Sequence, residues 1–419
     1  MRIFGLDFGT TNSTLSLSSS GGDTSVLDVD VSEGMAKKIL RSVVFFENEG
    51  GILVGESAIQ AYIADFTAGR FMRSVKTLLP SRSFTGTTIC SKTYQADDLA
   101  GEVMRAIKER GEACIGEACD AVVIGRPVIF SEDTETDRLA EERLLSAAQK
   151  AGFKDIRLQY EPVAAALVFE RFFPSREEQT VMVGDFGGGT SDFVIMRVGG
   201  DRAKQKNRRD DILSLGGLYV GGDSFDSLLM WEKMARHLGR GVRFRSMEGR
   251  WHDMPANILN QLRQWHLISQ LRERKTRESI RDIKKTADNP ALVANLERLV
   301  DDNSGIVLFR SVEQTKFDLT DKQTSEIHFE GLCEPVTRGE FEATIQNSCD
   351  QIERCVDEVL RKASFKPKNI DRVFLTGGTS NIPFVRQMFQ RQFGAAKICG
   401  QDVFTSVGYG LGLDASNSL

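Results

Sequence analysis

The feature that most constrains this chain is a pattern that occurs twice: an apolar strand, a glycine-containing turn and a second strand. The first copy reads IFGLDFGTTNS from residue 3, and the second reads VMVGDFGGGTSDF from residue 181. In each copy an aspartate, Asp7 or Asp185, ends the first strand and is followed by Phe-Gly and small hydroxyl residues. We interpret the two copies as an internal repeat of one supersecondary unit. The repeat predicts two related halves, each built around a hairpin.

The turns themselves indicate a ligand with anionic oxygens. Gly9 and the run Gly187, Gly188 and Gly189 leave the backbone free to approach a ligand without a Cβ in the way. Their N–H groups can converge on phosphate oxygens, as in a phosphate-binding nest. A plain hairpin with a flexible tip would explain one such turn. Two turns at matching depth favour a polyphosphate held from both sides.

Three aspartates flank the turns, and their position beside a phosphate site predicts a bound cation. Asp7, Asp185 and Asp192 cannot face a phosphate favourably by themselves. They are expected to act on a Mg²⁺ ion through its waters, with the ion between them and the phosphate. A third strand and glycine turn follows at Gly377-Gly378-Thr379 and suits a flat base or a ribose. Residues 408–410, Gly-Tyr-Gly, are expected to form one more glycine bend.

Composition narrows the class of protein. A chain of 419 residues is too long for one ordinary core and should form at least two lobes. The net charge of −5 argues against nucleic acid as the main partner. A basic stretch at 199–211 lacks interleaved aromatic residues and is expected to be a solvated hairpin tip. Its cations are Arg202, Lys204, Lys206, Arg208 and Arg209.

The N-terminus, the length of the apolar runs and the cysteine spacing predict where the protein is located and whether its thiols are reduced. The chain enters its first strand directly, and no run approaches the 18 apolar residues of a membrane helix. We therefore expect a cytoplasmic protein without membrane association. The seven cysteines include no CxxC pair, which predicts reduced, mostly buried thiols rather than a zinc or redox centre.

Several further residues allow two interpretations each. Lys76, in an apolar setting, is either a solvated surface lysine or part of a site. Glu161, just before a proline, could simply favour the dipole of a helix that starts there. Glu313 and Lys316 are three residues apart on a predicted helix and could form a surface ion pair. The residues alone leave these alternatives open.

Taken together and in order, these segments resemble the actin-like ATPase superfamily, and within it the nucleotide-binding domain of DnaK-type heat-shock chaperones. The likeness extends over nearly the whole chain. It is carried by GLDFGTTNS (5–13), LVGESA (53–58), VKTLL (75–79), RPVIF (126–130), YEPVAAAL (160–167), VGDFGGGTSDF (183–193), GGDSFD (221–226), VEQTK (312–316), TRGEFE (337–342) and LTGGTSNIP (375–383).

The resemblance implies an α/β, ribonuclease H-like fold of two lobes, each with a mixed central sheet and flanking helices, and ATP in the cleft between them. Lobe I is expected at 1–178, with a subdomain insert at about 40–110. Lobe II is expected at 179–419, with an insert of helices and strands at about 227–331. ATP or ADP and Mg²⁺ are the implied ligands.

The resemblance also implies roles for single residues. Lys76 would position the attacking water, with Glu161, Asp185 and Thr190 as further catalytic residues, and Glu161 with Pro127 would relay the nucleotide state. Asp7, Asp185 and Asp192 would hold Mg²⁺ through water. The implied nucleotide contacts are Gly9, Thr10, Thr11, Asn12, Gly187, Gly188, Gly189, Thr190, Gly221, Gly222, Asp223, Glu313, Lys316, Gly377, Gly378, Thr379 and Asn381.

The chain departs from the chaperone pattern at two points in the adenosine region. Asn381 stands where these chaperones usually have an arginine that stacks on adenine, and Phe317 replaces a basic residue beside Lys316. The sequence also ends where a chaperone's linker and peptide-binding domain would begin. It is therefore similar to truncated YegD-type members of the family, which lack the substrate-binding domain.

The expected function is slow ATP hydrolysis coupled to a conformational change, in protein folding or the stress response. A protein partner or co-chaperone would receive the signal. Two alternatives come from the same superfamily: a filament-forming ATPase of the actin and MreB type, and a sugar kinase. The charged, proline-interrupted stretch 247–300 is expected to be mostly helical and suits a chaperone subdomain better than a flat polymer contact.

Overall fold

The computed structural model of the protein describes residues 2–19, 23–32, 34–205, 207–400 and 405–416. The chain groups into two compact units, unit 1 from Met1–Gly222 and Gln351–Leu419, and unit 2 from Asp223–Asp350. The division into lobes 1–178 and 179–419 stays a prediction.

In chain order, the described strands are β1 Arg2–Phe8, β2 Asn12–Ser19, β3 Thr24–Val26, β4 Asp30–Ser32, β5 Met35–Lys37, β6 Ile39–Arg41, β7 Val43–Glu47, β8 Ile52–Val54, β9 Gly69–Arg73, β10 Thr87–Ile89, β11 Lys92–Tyr94, β12 Ala121–Arg126, β13 Asp155–Tyr160, β14 Gln179–Phe186, β15 Ser191–Val198, β16 Ile212–Leu218, β17 Arg243–Arg245, β18 Trp251–Asp253, β19 Thr324–Phe329, β20 Leu332–Thr337, β21 Arg372–Thr376 and β22 Ile398–Cys399. The α-helices of the same residues are α1 Glu56–Ala64, α2 Ala96–Ile115, α3 Thr134–Lys150, α4 Glu161–Phe172, α5 Gly222–Leu229, α6 Ala256–Arg263, α7 Arg274–Thr286, α8 Pro290–Asp301, α9 Gly305–Asp321, α10 Arg338–Lys362, α11 Pro383–Phe393 and α12 Ser406–Ser416.

Unit 1 contains two mixed sheets with the same topology. The first has the order β3-β2-β1-β12-β13 and the second the order β16-β15-β14-β21-β22, and β6 also pairs with β2. In both, the first three strands are antiparallel and the last three are parallel. The internal repeat predicted from the two glycine turns is therefore confirmed as a duplicated sheet, and the predicted mixed α/β class is confirmed with it.

The inner strands of both sheets are apolar because they are covered on both faces. Residues 3–6 of β1 and residues 181–186 of β14 are buried. One apolar cluster joins the first sheet to α2 and α3. A second joins β14 and β15 to α4, and a third places α12 between β1, β12 and α4. These layers bury the two hairpins between helices.

The predicted glycine bend at 408–410 is wrong, because these residues lie inside helix α12. The glycines instead allow the helix to approach its neighbours closely. A Cβ on Gly408 would lie 2.1 Å from Thr14 Oγ1, and a Cβ on Gly410 would lie 2.1 Å from the Ala164 carbonyl oxygen. Glycine is required here for packing rather than for a turn.

The predicted solvated tip at 199–211 is wrong for Arg208. The guanidinium is buried and donates to Asp211 Oδ2 at 2.6 Å, and it also contacts Glu170. Arg202 pairs with the same Asp211. Buried charges need such partners, so this cation stabilises the base of the hairpin instead of facing solvent. Lys204 is exposed, as predicted, and Lys206 lies outside the described residues.

Unit 2 consists of helices and two small hairpins. Helices α6, α7 and α8 confirm the predicted helical stretch at 247–300, which also contains strand β18. The hairpins are β17–β18 and β19–β20, each antiparallel. Across the described parts of the chain, each helix is too short or too polar to span a lipid bilayer.

Candidate functional site

The first glycine turn, residues 9–11, joins β1 to β2. Asp7 lies opposite Thr14 and Phe8 opposite Ser13, so the ladder continues up to the turn. A Cβ on Gly9 would lie 2.0 Å from the Asn12 carbonyl oxygen, which leaves no room for a side chain. The tight turn places the Asp7 carboxylate at the end of a buried strand, as predicted from the sequence.

The second glycine turn, residues 187–190, joins β14 to β15. Asp185 and Asp192 lie directly opposite each other, and the Gly187 N–H donates to the Thr190 carbonyl at 2.9 Å. The Gly222 N–H donates to the Gly187 carbonyl at 3.0 Å. Residues 221–222 therefore contact the backbone of this turn.

The two turns are neighbours in space. A Cβ on Gly189 would lie 3.0 Å from Thr10 Oγ1, so residues 179 positions apart in the sequence come into contact here. The third glycine turn, residues 377–379, adjoins the second because β21 runs parallel to β14. Gly377 has a φ of 86°, and its Cβ would lie 2.0 Å from the Phe186 carbonyl oxygen. Unit 1 thus brings all three predicted turns together.

Lys76 and Glu161 form a buried ion pair. Lys76 lies on the short 3₁₀ helix Val75–Leu78, which follows β9, and Glu161 is the first residue of α4. Lys76 Nζ donates to Glu161 Oε1 at 2.7 Å, with each side chain 9% exposed. The surface interpretation of Lys76 is therefore wrong. Glu161 does begin a helix, but it also balances a buried ammonium group.

Four carboxylates of unit 1 interact electrostatically with one another and with the ammonium group of Lys76. They belong to Asp7, Glu161, Asp185 and Asp192. Burial, and next the charge of Glu161, raise the pKa of Asp7 to about 7 and the pKa of Asp192 to about 7. Burial raises the pKa of Asp185 well above its usual range, helped by the charges of Glu161, Asp7 and Asp192. Lys76 acts in the opposite direction on all three aspartates. Lys76 alone thus does not balance these carboxylates.

This charge imbalance fits a divalent cation. Asp192 Oδ1 accepts from the Val128 N–H at 2.7 Å, a side-chain hydrogen bond with Thr190 also reaches this carboxylate, and Asp192 Oδ2 is buried. Mg²⁺ prefers carboxylate oxygens and retains several of its waters. The donors present are therefore suited to Mg²⁺.

Sequence reasoning missed the role of Val128. Its N–H holds Asp192, and the neighbouring Pro127 carbonyl accepts from Arg126 Nε at 3.0 Å. The end of β12 is thereby tied to the second turn. A backbone N–H carries no sequence signal, so only the fold could reveal this contact. The predicted relay between Glu161 and Pro127 stays a prediction.

Unit 2 contains Glu313 and Lys316, two of the residues predicted to contact the nucleotide. Lys316, on α9, pairs with Asp226 of α5 at 2.7 Å. Burial raises the pKa of Asp226 to about 6. Burial alone would lower the pKa of Lys316, but the charges of Asp226, Glu313 and Asp223 raise it. Asp226 was missed, although GGDSFD places it one helical turn after Asp223.

Lys316 is thus largely buried, which weakens the simple interpretation of a surface pair with Glu313. Of the two departures from the chaperone pattern, Phe317 is 59% exposed and Asn381 is exposed. The role of Glu313 and Lys316 toward adenosine stays a prediction.

Comparisons with known proteins agree with this architecture. The chain is 25% identical over 415 residues to a protein named Chaperone protein DnaK from Thermosipho africanus (strain TCF52B). That match covers 99% of this chain and 58% of the relative. Proteins of the same name from Thermosipho melanesiensis and Thermotoga neapolitana are 25% identical over 393 residues, which is 94% of this chain and 55% of each relative. The chain thus spans little more than half the length of these curated relatives.

The family profile described as Hsp70 protein matches residues 3–241 and 288–413. The matched ranges include both duplicated hairpins, Lys76, Glu161 and the third glycine turn. They cover most of the chain, and the fold of this family is that of the actin-like ATPases. The chain belongs to the Hsp70 family.

Proposed function

We propose that the chain binds ATP with Mg²⁺ and hydrolyses it slowly to ADP and phosphate. The observation that carries the proposal is the buried Lys76–Glu161 pair in an electrostatic cluster with Asp7, Asp185 and Asp192. The Lys76 ammonium group is buried in this cluster, next to two glycine turns that contact each other. Such a site is suited to a charged phosphate group that reacts with water.

The glycine turns would hold the phosphates. Backbone N–H groups of residues 9–11 and 187–190 are the natural donors to phosphate oxygens, assisted by the hydroxyls of Thr10, Thr11 and Thr190. Since Gly189 lies against Thr10, both turns can contact the same polyphosphate chain. Gly221 and Gly222 would support the second turn through their backbone contacts.

Asp7, Asp185 and Asp192 would hold Mg²⁺ through its waters. When bound, the ion would neutralise charge on the phosphate oxygens. The three carboxylates would hold the waters of the ion, and the Val128 N–H donates to Asp192 and keeps it in place. Their raised pKa values reflect the cost of several buried charges in one place, which a cation would lower.

Lys76 would act on the reacting water. Its ammonium group can orient the water that attacks the γ-phosphorus and can stabilise the charge that develops on the transferred group. Attack forms a P–O bond to water, the bond to the ADP oxygen breaks, and the water proton passes to solvent. Glu161 accepts a hydrogen bond from the Lys76 ammonium group and so holds it in position. Catalysis of this kind rests on positioning.

The output of the cycle would be a conformational signal, as in a chaperone-like switch of protein folding or the stress response. The relatives are named as chaperones, and a protein partner or co-chaperone is the expected receiver. All seven cysteines are free thiols, which suits the cytoplasm. The prediction that they are mostly buried is wrong, because only Cys119 and Cys349 are buried.

The test is release of phosphate from ATP with Mg²⁺ at two well-separated protein concentrations. We expect a slow rate that is proportional to protein. A rate per molecule that climbs with concentration would instead favour a filament. A rate that depends on an added sugar would favour a kinase. Binding of ATP without any release would leave a nucleotide-gated binding protein and remove the enzymatic part of the proposal.

A further inference from the structure

A hairpin in unit 2 brings together three side chains of the types that bind zinc. Strands β19 and β20 are antiparallel, with His328 directly opposite Cys333 and Glu326 opposite Pro335. Side chains alternate between the two faces of a strand, so Glu326, His328 and Cys333 share the outward face. Ile327, between the first two, is buried on the inward face. The register alone therefore groups a carboxylate, an imidazole and a thiol.

Their ligand atoms lie at coordination distances from one another. Glu326 Oε2 is 3.2 Å from Cys333 Sγ and 3.3 Å from His328 Nε2. All three ligand atoms lie within 4.8 Å of one another. In a tetrahedral zinc site with bonds of about 2.0–2.3 Å, neighbouring ligand atoms are roughly 3.3–3.6 Å apart. The side chains thus need to move little to enclose an ion.

We propose that Glu326, His328 and Cys333 bind a zinc ion, with a water as the fourth ligand. A thiolate and an imidazole favour zinc over Mg²⁺ or Ca²⁺, which prefer oxygen ligands. The side chains of Glu326 and His328 are 53% and 65% exposed, so the ion could enter directly from solvent.

Spacing in the sequence could not reveal this site, because its ligands lie on both strands of a hairpin rather than in a CxxC pair.

The experiment uses the full, reduced chain and Co²⁺ as a spectroscopic substitute for Zn²⁺. We expect one equivalent of Co²⁺ to produce the charge-transfer absorption of a cobalt–thiolate bond, and Zn²⁺ to displace it. C333S should abolish the absorption and weaken zinc binding at least about tenfold, and H328Q should weaken it similarly. C90S and C114S, which alter other exposed cysteines, should bind like the unaltered chain.

A second measurement needs no variant and therefore does not depend on the folding of one. Zinc should slow the alkylation of Cys333 by iodoacetamide without slowing that of Cys90, as located by mass spectrometry. Equal alkylation of Cys333 with and without zinc would overturn the proposal. Thiolate absorption that persists in C333S would overturn it as well. Neither result would bear on ATP hydrolysis, because these residues lie outside the proposed phosphate site.

Discussion

At the scale of the residue, the phosphate site depends on charge that is buried and only partly balanced. Lys76 and Glu161 are both largely inaccessible to solvent. The pKa values of Asp7, Asp185 and Asp192 are raised, so these carboxyl groups keep their protons to a higher pH than they would in water. Each of these groups was recognisable from the sequence as a candidate. Their burial, which determines their chemistry, was not.

The first prediction concerns Lys76. Lys76→Ala should leave ATP binding nearly intact and lower the rate of hydrolysis by at least about 100-fold, because it removes a group used mainly in the transition state. The measurements are ATP affinity by calorimetry and phosphate release under single-turnover conditions.

Lys204→Ala is the matched control for this change. Lys204 is an exposed lysine paired with Asp201 on the surface, so its loss should change neither quantity. A loss of rate below tenfold in Lys76→Ala would exclude Lys76 from the catalytic role.

The second prediction concerns pH. A carboxyl group whose folded pKa is raised stabilises the fold at a pH below its unfolded pKa, near 3.8, and loses that contribution as the pH rises through the folded value. For Asp192 the folded pKa is about 7. We therefore expect Asp192→Asn to become more stable relative to the unaltered chain as the pH rises from about 5.5 to about 8. The quantity compared is the free energy of unfolding, measured without nucleotide and Mg²⁺.

Chemical unfolding at the two pH values measures this difference. Asp201→Asn, which alters a fully exposed carboxylate, should show no comparable change in relative stability. A difference for Asp192→Asn that is the same at both pH values would mean that Asp192 titrates normally. Mg²⁺ with ATP should reverse the advantage of the asparagine variant.

At the scale of the element, duplication and close packing decide the architecture. The two sheets repeat the same order and directions, and each presents its aspartate at the end of the central strand before a glycine turn. Helix α12 packs against α4 and the first sheet through glycines, so the backbones come closer than side chains would permit.

The third prediction tests that packing. Gly410→Ala should destabilise unit 1 by about 1–3 kcal/mol, because its Cβ would meet the Ala164 carbonyl oxygen at 2.1 Å. Gly339→Ala, in helix α10 with nothing within 4 Å of the new Cβ, should be neutral or stabilising by up to about 1 kcal/mol. Urea unfolding of both variants measures the contrast, and equal stabilities would contradict the close helix packing.

At the scale of the whole molecule, the proposed activity requires the two hairpins to act together. Their sequences are far apart, but Gly189 and Thr10 are in contact within unit 1. A ligand held by one turn alone would not need the duplicated sheet. This coupling can be measured in the intact chain.

The fourth prediction is that ATP with Mg²⁺ slows amide hydrogen exchange at residues 9–11 and 187–190 together. Both turns should gain protection at the same ATP concentration, because one polyphosphate would contact both. Asp185→Asn should reduce the protection at both turns, whereas Asp201→Asn should leave it unchanged. Protection confined to one turn would show that a single hairpin binds the nucleotide.

Much of the fold follows from the sequence because it depends on near neighbours. The strands before Asp7 and Asp185 are short apolar runs, and the turns after them need glycines, so both hairpins could be predicted from local pattern. Long amphipathic helices such as α2 and α10 follow the same rule, since helical periodicity is a local property.

The remaining features depend on which distant residues pack together. Glu161 and Lys76 are 85 positions apart, and only the fold brings them within 2.7 Å. The glycines of α12 suggested a bend, because sequence does not show that another backbone lies against them. The pKa of Asp192 is raised by burial, which likewise arises from tertiary contacts. The cross-strand pairing of His328 with Cys333 also depends on the fold. Sequence by itself thus determined the local elements and the candidate chemical groups. Tertiary structure decided their partners and their charge, because desolvation and long-range contacts exist only once the chain is packed.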